Sequence, residues 1–392
     1  MKQRSQTDFL PEEMSKFGSC GLCKKNIGNN SRKVLQCLHQ GDPLAVFLYS
    51  VAAHPVVLRV IEEVPNLKQN AWFLDDGALA GNREDLKKVV DIIKEEGPQR
   101  GLNLSTEKSK VWCQEPKNDD NPLQQGIPLD TVDGLKLLGA PIGSTSFESV
   151  VLDDRIEKSE QLMQRLSILD DPYSEYVLLR NCLALPKMSY AIRTVNPVHH
   201  EASMERFDSS VRESLERILG GPISDAKWKQ ASLPVSQGGL GLRSALSHSA
   251  AAFISSFSDS QSIIEDIIGQ PKIFNDEELL ALLNSRCVGE TEFSMEQAGS
   301  SSQKAMSQVI DSSLLNELKS QADNEREKAR FNCVTMKHAG DWLNAVPVKS
   351  LGLHLQPMEF TTSVKYRLGI PVVQSISASP ANAQGGFCGG KG

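Results

Sequence analysis

Ala71-Trp72-Phe73-Leu74-Asp75-Asp76-Gly77-Ala78-Leu79-Ala80-Gly81 decides how the first half of the chain is read. An apolar run meets two carboxylates and a glycine, and a second apolar run follows. Two short apolar runs around Asp-Gly predict a β-hairpin, because Asp and Gly tolerate the positive φ of a tight primed turn. Asp75 and Asp76 would then stand at the hairpin tip. Carboxylates held on a rigid element suit a hard cation such as Mg²⁺, which takes oxygen ligands and leaves room for phosphate oxygens. Asp-Gly turns are also common on surfaces, so an acidic turn that binds nothing is the competing reading.

Upstream, Gln40-Gly41-Asp42-Pro43-Leu44 opens a helix. Asp42 fits an N-cap and Pro43 the first helical position. Leu44, Phe47, Leu48, Val51 and Ala52 give an apolar face, and His54-Pro55 should kink or interrupt it. Downstream, Asn82 should cap a helix through Leu86, Val89, Val90 and Ile93, ending at Gly97-Pro98 or Gly101. Gly101 to Trp112 reads as a turn and strand carrying Lys108 and Lys110 on one side. Residues 114–130 read as a loop, and Gly134 to Gly143 as a second hairpin.

From Val151 the pattern is helical. Ile156, Leu162, Leu166 and Leu169 form one stripe; Tyr176, Leu179, Leu183 and Met188 form another. Phe207, Val211, Leu215 and Ile218 form a third, stopped by Gly220-Gly221-Pro222. Gly238-Gly239-Leu240-Gly241 is a glycine-rich turn, and Ala245 to Phe257 is helical. Residues 289–312 read as a Ser/Gln/Glu-rich linker. A charged helix through Leu314, Leu318, Ala322 and Ala329 follows, then a small unit around Trp342 and Leu351–Leu355. The tail, 374–392, reads as disordered.

The chain has 392 residues, 40% hydrophobic and 23% charged, with a net charge of −7. That predicts two or three domains and argues against coating nucleic acid by charge alone. No apolar run reaches the ~20 residues of a membrane span, and the start lacks a signal-peptide core. The expectation is an intracellular protein, nuclear or cytoplasmic, with reduced cysteines. Cys20-Gly21-Leu22-Cys23 lacks the second pair of a zinc tetrad.

Taken in order, Gln40 to Leu44, Phe73 to Gly77, Gly101 to Leu104 with Lys108, and Leu138 to Gly143 resemble the palm motifs of reverse transcriptases. The resemblance is nearest to the non-LTR-retrotransposon type. Gly238 to Arg243 and Trp342 to Pro347 look like the tail of the same group. The resemblance implies an α+β fold: a small, mostly antiparallel palm sheet carrying both hairpins, helices on one face, then a helical thumb and a helical C-terminal region. The corresponding divisions are 1–32 poorly ordered, 33–150 partial palm, 151–288 thumb-like, 289–312 linker, 313–373 C-terminal helices and 374–392 tail.

By the same resemblance, Asp75 and Asp76 hold catalytic Mg²⁺, with Asp75 the direct ligand. Lys108 would protonate pyrophosphate. Gln40, Gly41, Asp42 and Pro43 would face nucleotide and template; Leu138, Gly139, Pro141 and Gly143 would grip the primer. The implied partners are an RNA or DNA template-primer and dNTP. Some positions depart from the pattern. Cys37-Leu38-His39 replace Gly-Val-Gln, and Phe73 replaces tyrosine. The upstream aspartate and fingers are missing, since Asp8 has the wrong surroundings, and Cys388 stands alone where a Cys/His segment is expected. The resemblance therefore implies an N-terminally truncated polymerase that is inactive alone, or else a non-enzymatic nucleic-acid- or protein-binding relic.

Overall fold

The computed structural model describes residues 43–113, 126–127, 133–270, 273–287, 289 and 292–372. The polar start, Cys20 and Cys23, the Gln40-Gly41-Asp42 step, Cys388 and the tail lie outside them, as does nearly all of the 114–130 loop. The chain forms two compact units, Met1–Gly143 and Ser144–Gly392.

The first unit contains α1 (Ala45–Glu63), β1 (Gln69–Phe73), β2 (Asp76–Ala80), α2 (Arg83–Glu96), β3 (Gly134–Leu137) and β4 (Ala140–Gly143). α1 runs unbroken through Pro55, against the expected interruption. Its buried residues are Ala52, Val56 and Val60, on one stripe, and this packing holds the helix across the missing N–H. Of the expected stripe Ala52 is buried and Leu48 and Val51 half-buried, whereas Leu44 and Phe47 are 62% and 50% exposed. α1 is also, by length and composition, apolar enough to cross a membrane, which corrects the expectation that no such run exists. Here its C-terminal half packs: Val60 and Val64 meet Val89 and Ile92 of α2, with Leu67 and Leu79 against them.

Asn82 caps α2 as expected, its carboxamide oxygen accepting from the Asp85 N–H at 2.8 Å. The helix closes at Gly97, where an added Cβ would lie 2.5 Å from the Ile93 carbonyl oxygen. The other side of α2 carries Val90, buried with Val111 and Ile127, with Leu86 and Leu104 alongside. The chain from Leu102 to Trp112 is therefore not the expected strand. It turns back through Ser109 N–H to Ser105 C=O at 3.0 Å and makes a single bridge at Val111.

β1–β2 and β3–β4 are two separate antiparallel pairs, not the shared palm sheet that was expected. Each hairpin closes its own ladder over a two-residue turn. In the second, Leu138 (φ 49°) and Gly139 (φ 84°) both take the positive φ of a type I′ turn.

The second unit is helical: α3 (Thr145–Arg165), α4 (Pro172–Leu178), α5 (Leu185–Thr194), α6 (Glu201–Leu219), α7 (Asp225–Ser232), α8 (Ala245–Ile268), α9 (Glu277–Ser285), α10 (Met295–Ser300), α11 (Gln303–Ser320), α12 (Glu325–Val334) and α13 (Pro357–Leu368). The α6 stripe is as read: Phe207, Val211, Leu215 and Ile218 are buried, and Gly220 ends the helix at φ 73°. On α3, Ile156 is buried but Leu162 is 37% exposed. The expected linker at 289–312 holds helices instead. Ser294 and Ser302 are N-caps rather than linker residues, and Ala298, Met306 and Ile310 bury against α8 and α9.

Asp208 on α6 holds the start of α8, accepting from Ser244 Oγ at 2.5 Å and from the Ala245 and Leu246 N–H groups at 2.8 and 3.2 Å. Burial outweighs those bonds and pushes its carboxyl up to about 6. The folded protein then holds a proton there that the unfolded chain has lost, so this group's contribution to stability falls as pH rises from about 4 to about 6. Urea unfolding of the Asp208→Asn variant should lack that fall. Its stability relative to wild type should rise across the window by up to roughly 3 kcal/mol; a difference that is constant with pH would contradict this.

Candidate functional site: the acidic hairpin

β1 and β2 pair in the register Asn70↔Leu79, Trp72↔Gly77 and Phe73↔Asp76, so the turn is Leu74-Asp75. The turn therefore lies earlier than the Asp-Gly pair predicts. Leu74 takes φ 56°, which costs a non-glycine residue about 1 kcal/mol or more. Gly77 serves a different purpose: a Cβ there would sit 2.8 Å from the Trp72 ring lying across from it. The Trp72 indole N–H donates to Asn70 Oδ1 at 2.7 Å and fixes that ring. Asp75 occupies the turn and Asp76 the first position of β2, both exposed.

Leu79 packs in the cluster of Val60 and Val64. From there the strand runs back three residues, about 10 Å, to Asp76. Tyr49 lies on the same helical stripe as Val56 and Val60, seven and eleven residues earlier, the latter about three turns. The half-buried Tyr49 phenol is pushed up by burial first, then by the negative charges of Asp75 and Asp76. Both carboxylates thus act on one side chain of α1, which begins at Ala45 with Leu44 as its N-cap rather than at Pro43 as expected. Sequence reading missed Tyr49; its spacing to Val56 and Val60 is the signal that could have found it.

Of the other expected site residues, Pro43 is exposed just before α1. Lys108 is exposed in the turn before Val111, not on a strand. Leu138 and Gly139 form the exposed tip of the second hairpin, and Pro141 is buried opposite Lys136. Gly143 is required by close approach, since a Cβ there would meet the Asp133 carbonyl oxygen at 2.2 Å.

Two exposed carboxylates beside a protonated phenol fit one Mg²⁺, which is held by one or two carboxylates and completed by phosphate oxygens and water. Among the described residues no group of three or more His, Cys, Asp and Glu forms a metal cage.

The two tail-like segments meet in the second unit. The Arg367 side chain is 3% exposed and donates to the carbonyls of Val235 (2.6 Å), Gly239 (3.1 Å) and Ala339 (3.1 Å). Burial holds its guanidinium below the ordinary arginine value. Tyr176 donates to the Leu240 carbonyl at 2.7 Å. Arg180, against Gly241, donates to the Leu343 carbonyl at 3.0 Å and Asn344 Oδ1 at 2.9 Å. Tyr173 donates to the Trp342 carbonyl at 3.0 Å, and its ring stacks on Phe360 at 4.8 Å. These segments are a buried scaffold rather than a reactive site.

Over 214 residues, 53% of this chain, the sequence is 25% identical to the "Retrotransposable element SLACS 132 kDa protein" of Trypanosoma brucei gambiense. The chain is similar to a retroelement protein. It spans 17% of that relative's length. No family model matches, and no solved structure matches.

Gly239 tests the scaffold. An added Cβ would lie 2.0 Å from the Leu233 carbonyl oxygen and 2.7 Å from that of Gln230. Gly239→Ala should cost about 3 kcal/mol or more in denaturant unfolding. Gly221→Ala, where a Cβ meets nothing within 4 Å, should stay within about 0.5 kcal/mol. Equal effects would remove the close-approach explanation.

Proposed function

We propose that this chain carries the metal–nucleotide platform of a reverse-transcriptase-type nucleotidyltransferase of retroelement origin. The observation that carries the reading is the pair Asp75 and Asp76 on a hairpin tip, acting electrostatically on the helix that Gln40-Gly41-Asp42-Pro43 precedes. Similarity to a retrotransposable-element protein supports the origin. In the proposed reaction a primer 3′-hydroxyl attacks a dNTP in line and releases pyrophosphate, while Mg²⁺ neutralises the developing charge.

Asp75 is the direct cation ligand and Asp76 the supporting one. Gln40, Gly41, Asp42 and Pro43 face nucleotide and template. Lys108 is the proton donor to pyrophosphate, and Leu138, Gly139, Pro141 and Gly143 hold the primer of an RNA or DNA template-primer.

In-line transfer draws on more than one carboxylate pair, because two cations clamp the attacking and leaving oxygens. Among the described residues no group of three or more His, Cys, Asp and Glu stands together that could hold such a pair of cations. That favours binding of metal and nucleotide over turnover by this chain on its own.

Mn²⁺ replaces Mg²⁺ as a paramagnetic probe. Titration with dATP present, followed by electron paramagnetic resonance, should give one site of the hairpin type. Asp75→Asn should weaken it at least tenfold and Asp76→Asn about threefold. Primer extension by the chain alone should give no Asp75-dependent incorporation. Unchanged Mn²⁺·dATP affinity in Asp75→Asn would overturn the reading, and vigorous extension would overturn the division between binding and turnover.

A further inference from the structure

The second unit carries an apolar groove of about 260 Å³. Leu162 near the end of α3, Leu166 and Leu169 of the turn that follows, Leu178 at the end of α4 and Leu183 of the π turn Leu179–Leu183 line it. Leu162, Leu169 and Leu178 remain part-exposed. Beside the groove stands Ile168, 79% exposed. The turn Leu166–Leu169 is a 3₁₀ helix, so Leu166 and Leu169, three residues apart, share one face. Ile168 lies a third of a turn away from that face and projects into solvent. One short turn therefore supplies both a wall of the hole and a knob next to it.

Opposite charges flank the two. Arg165 lines the groove, and Asp170 follows the knob at φ 49°. Among the described residues neither side chain makes a hydrogen bond or an ion pair. A surface that interacts with its own image about a twofold axis must be self-complementary, each feature lying beside its counterpart. This one has a hole beside a knob and an unpaired cation beside an unpaired anion. An unrelated partner would require neither match.

We propose that this face pairs with a second copy of the chain. Ile168 of each copy enters the leucine groove of the other, and Arg165 meets Asp170 of the partner subunit at both ends of the axis. The exposed aliphatic side chains Leu162, Ile168, Leu169 and Leu178 fall short of the roughly 800 Å² per partner of a standard interface, so the dimer is reversible. The surface lies wholly within the second unit and is independent of the acidic hairpin.

Sedimentation velocity of the full chain across a concentration series reads the association. A monomer–dimer equilibrium with a Kd of roughly 100 µM is expected. Ile168→Asp should weaken it at least tenfold, whereas Ile263→Asp, on an exposed part of α8, should leave it within twofold. Arg165→Asp and Asp170→Lys should each weaken it about fivefold, since each places like charges together at both contacts. An equimolar mixture of these two variants should associate as the wild type does, because their heterodimer restores an opposite-charge pair at both. A wild type that stays monomeric at about 1 mM would overturn the inference and leave the groove to another occupant. Equal losses from Ile168→Asp and Ile263→Asp, or a mixture no stronger than its components, would also overturn it.

Discussion

The contact of Val60 and Val64 with Leu79, Val89 and Ile92 is the constraint on which the first unit depends. Each fully buried aliphatic side chain stabilises by about 2 kcal/mol, and together they lock one helix, one strand and a second helix in fixed register. Because strand side chains alternate faces, Leu79 in that core fixes which face Gly77 and Trp72 present. The turn that follows is then determined, and with it the position of Asp75. The cost falls on Leu74, which accepts a left-handed backbone that glycine would adopt more easily. Strain of this kind is sustained when the surroundings over-determine it, as the packed β2 strand and the Trp72–Asn70 bond do here.

The second unit solves a different problem with a buried cation. Arg367 carries its charge into the core without a carboxylate and satisfies it on three main-chain carbonyls from two distant segments. Removing a guanidinium from water is expensive unless its donors are used. The glycine turn and the 339–345 loop are thereby tied together, with Tyr173, Tyr176 and Arg180 repeating the tie from α4 and the π turn Leu179–Leu183 that follows it. The sequence similarity to a retroelement protein covers about half the chain, whereas this scaffold rests on side-chain-to-carbonyl bonds that single substitutions can break.

Much of this was legible in advance. Asn82 read as a cap because its carboxamide oxygen can satisfy a free N–H at a helix start, here that of Asp85. The α6 stripe read correctly because Phe207, Val211, Leu215 and Ile218 repeat at helical spacing with a glycine stop. The existence of both hairpins also followed from local pattern. Other features were set by tertiary packing. Pro55 stays helical where the helix goes on to bury Val60 and Val64 against Val89 and Ile92 of α2. Leu104 and Val111 look like a strand but fill the far side of α2. The serine-rich 289–312 stretch looks like a linker, yet its serines cap helices whose Met306 and Ile310 find partners on α8. Asp75 stood out from the two apolar runs that flank a carboxylate pair and a glycine. Tyr49 emerged only from the effect of burial and of the Asp75 and Asp76 charges on its phenol.

The most direct measurement is anomalous diffraction from crystals grown with Mn²⁺ and a non-hydrolysable dATP analogue. One manganese peak should lie about 2.1 Å from an Asp75 carboxylate oxygen, with a phosphate oxygen completing its shell. A fully occupied peak elsewhere, or bound analogue with no manganese at the hairpin tip, would contradict the account.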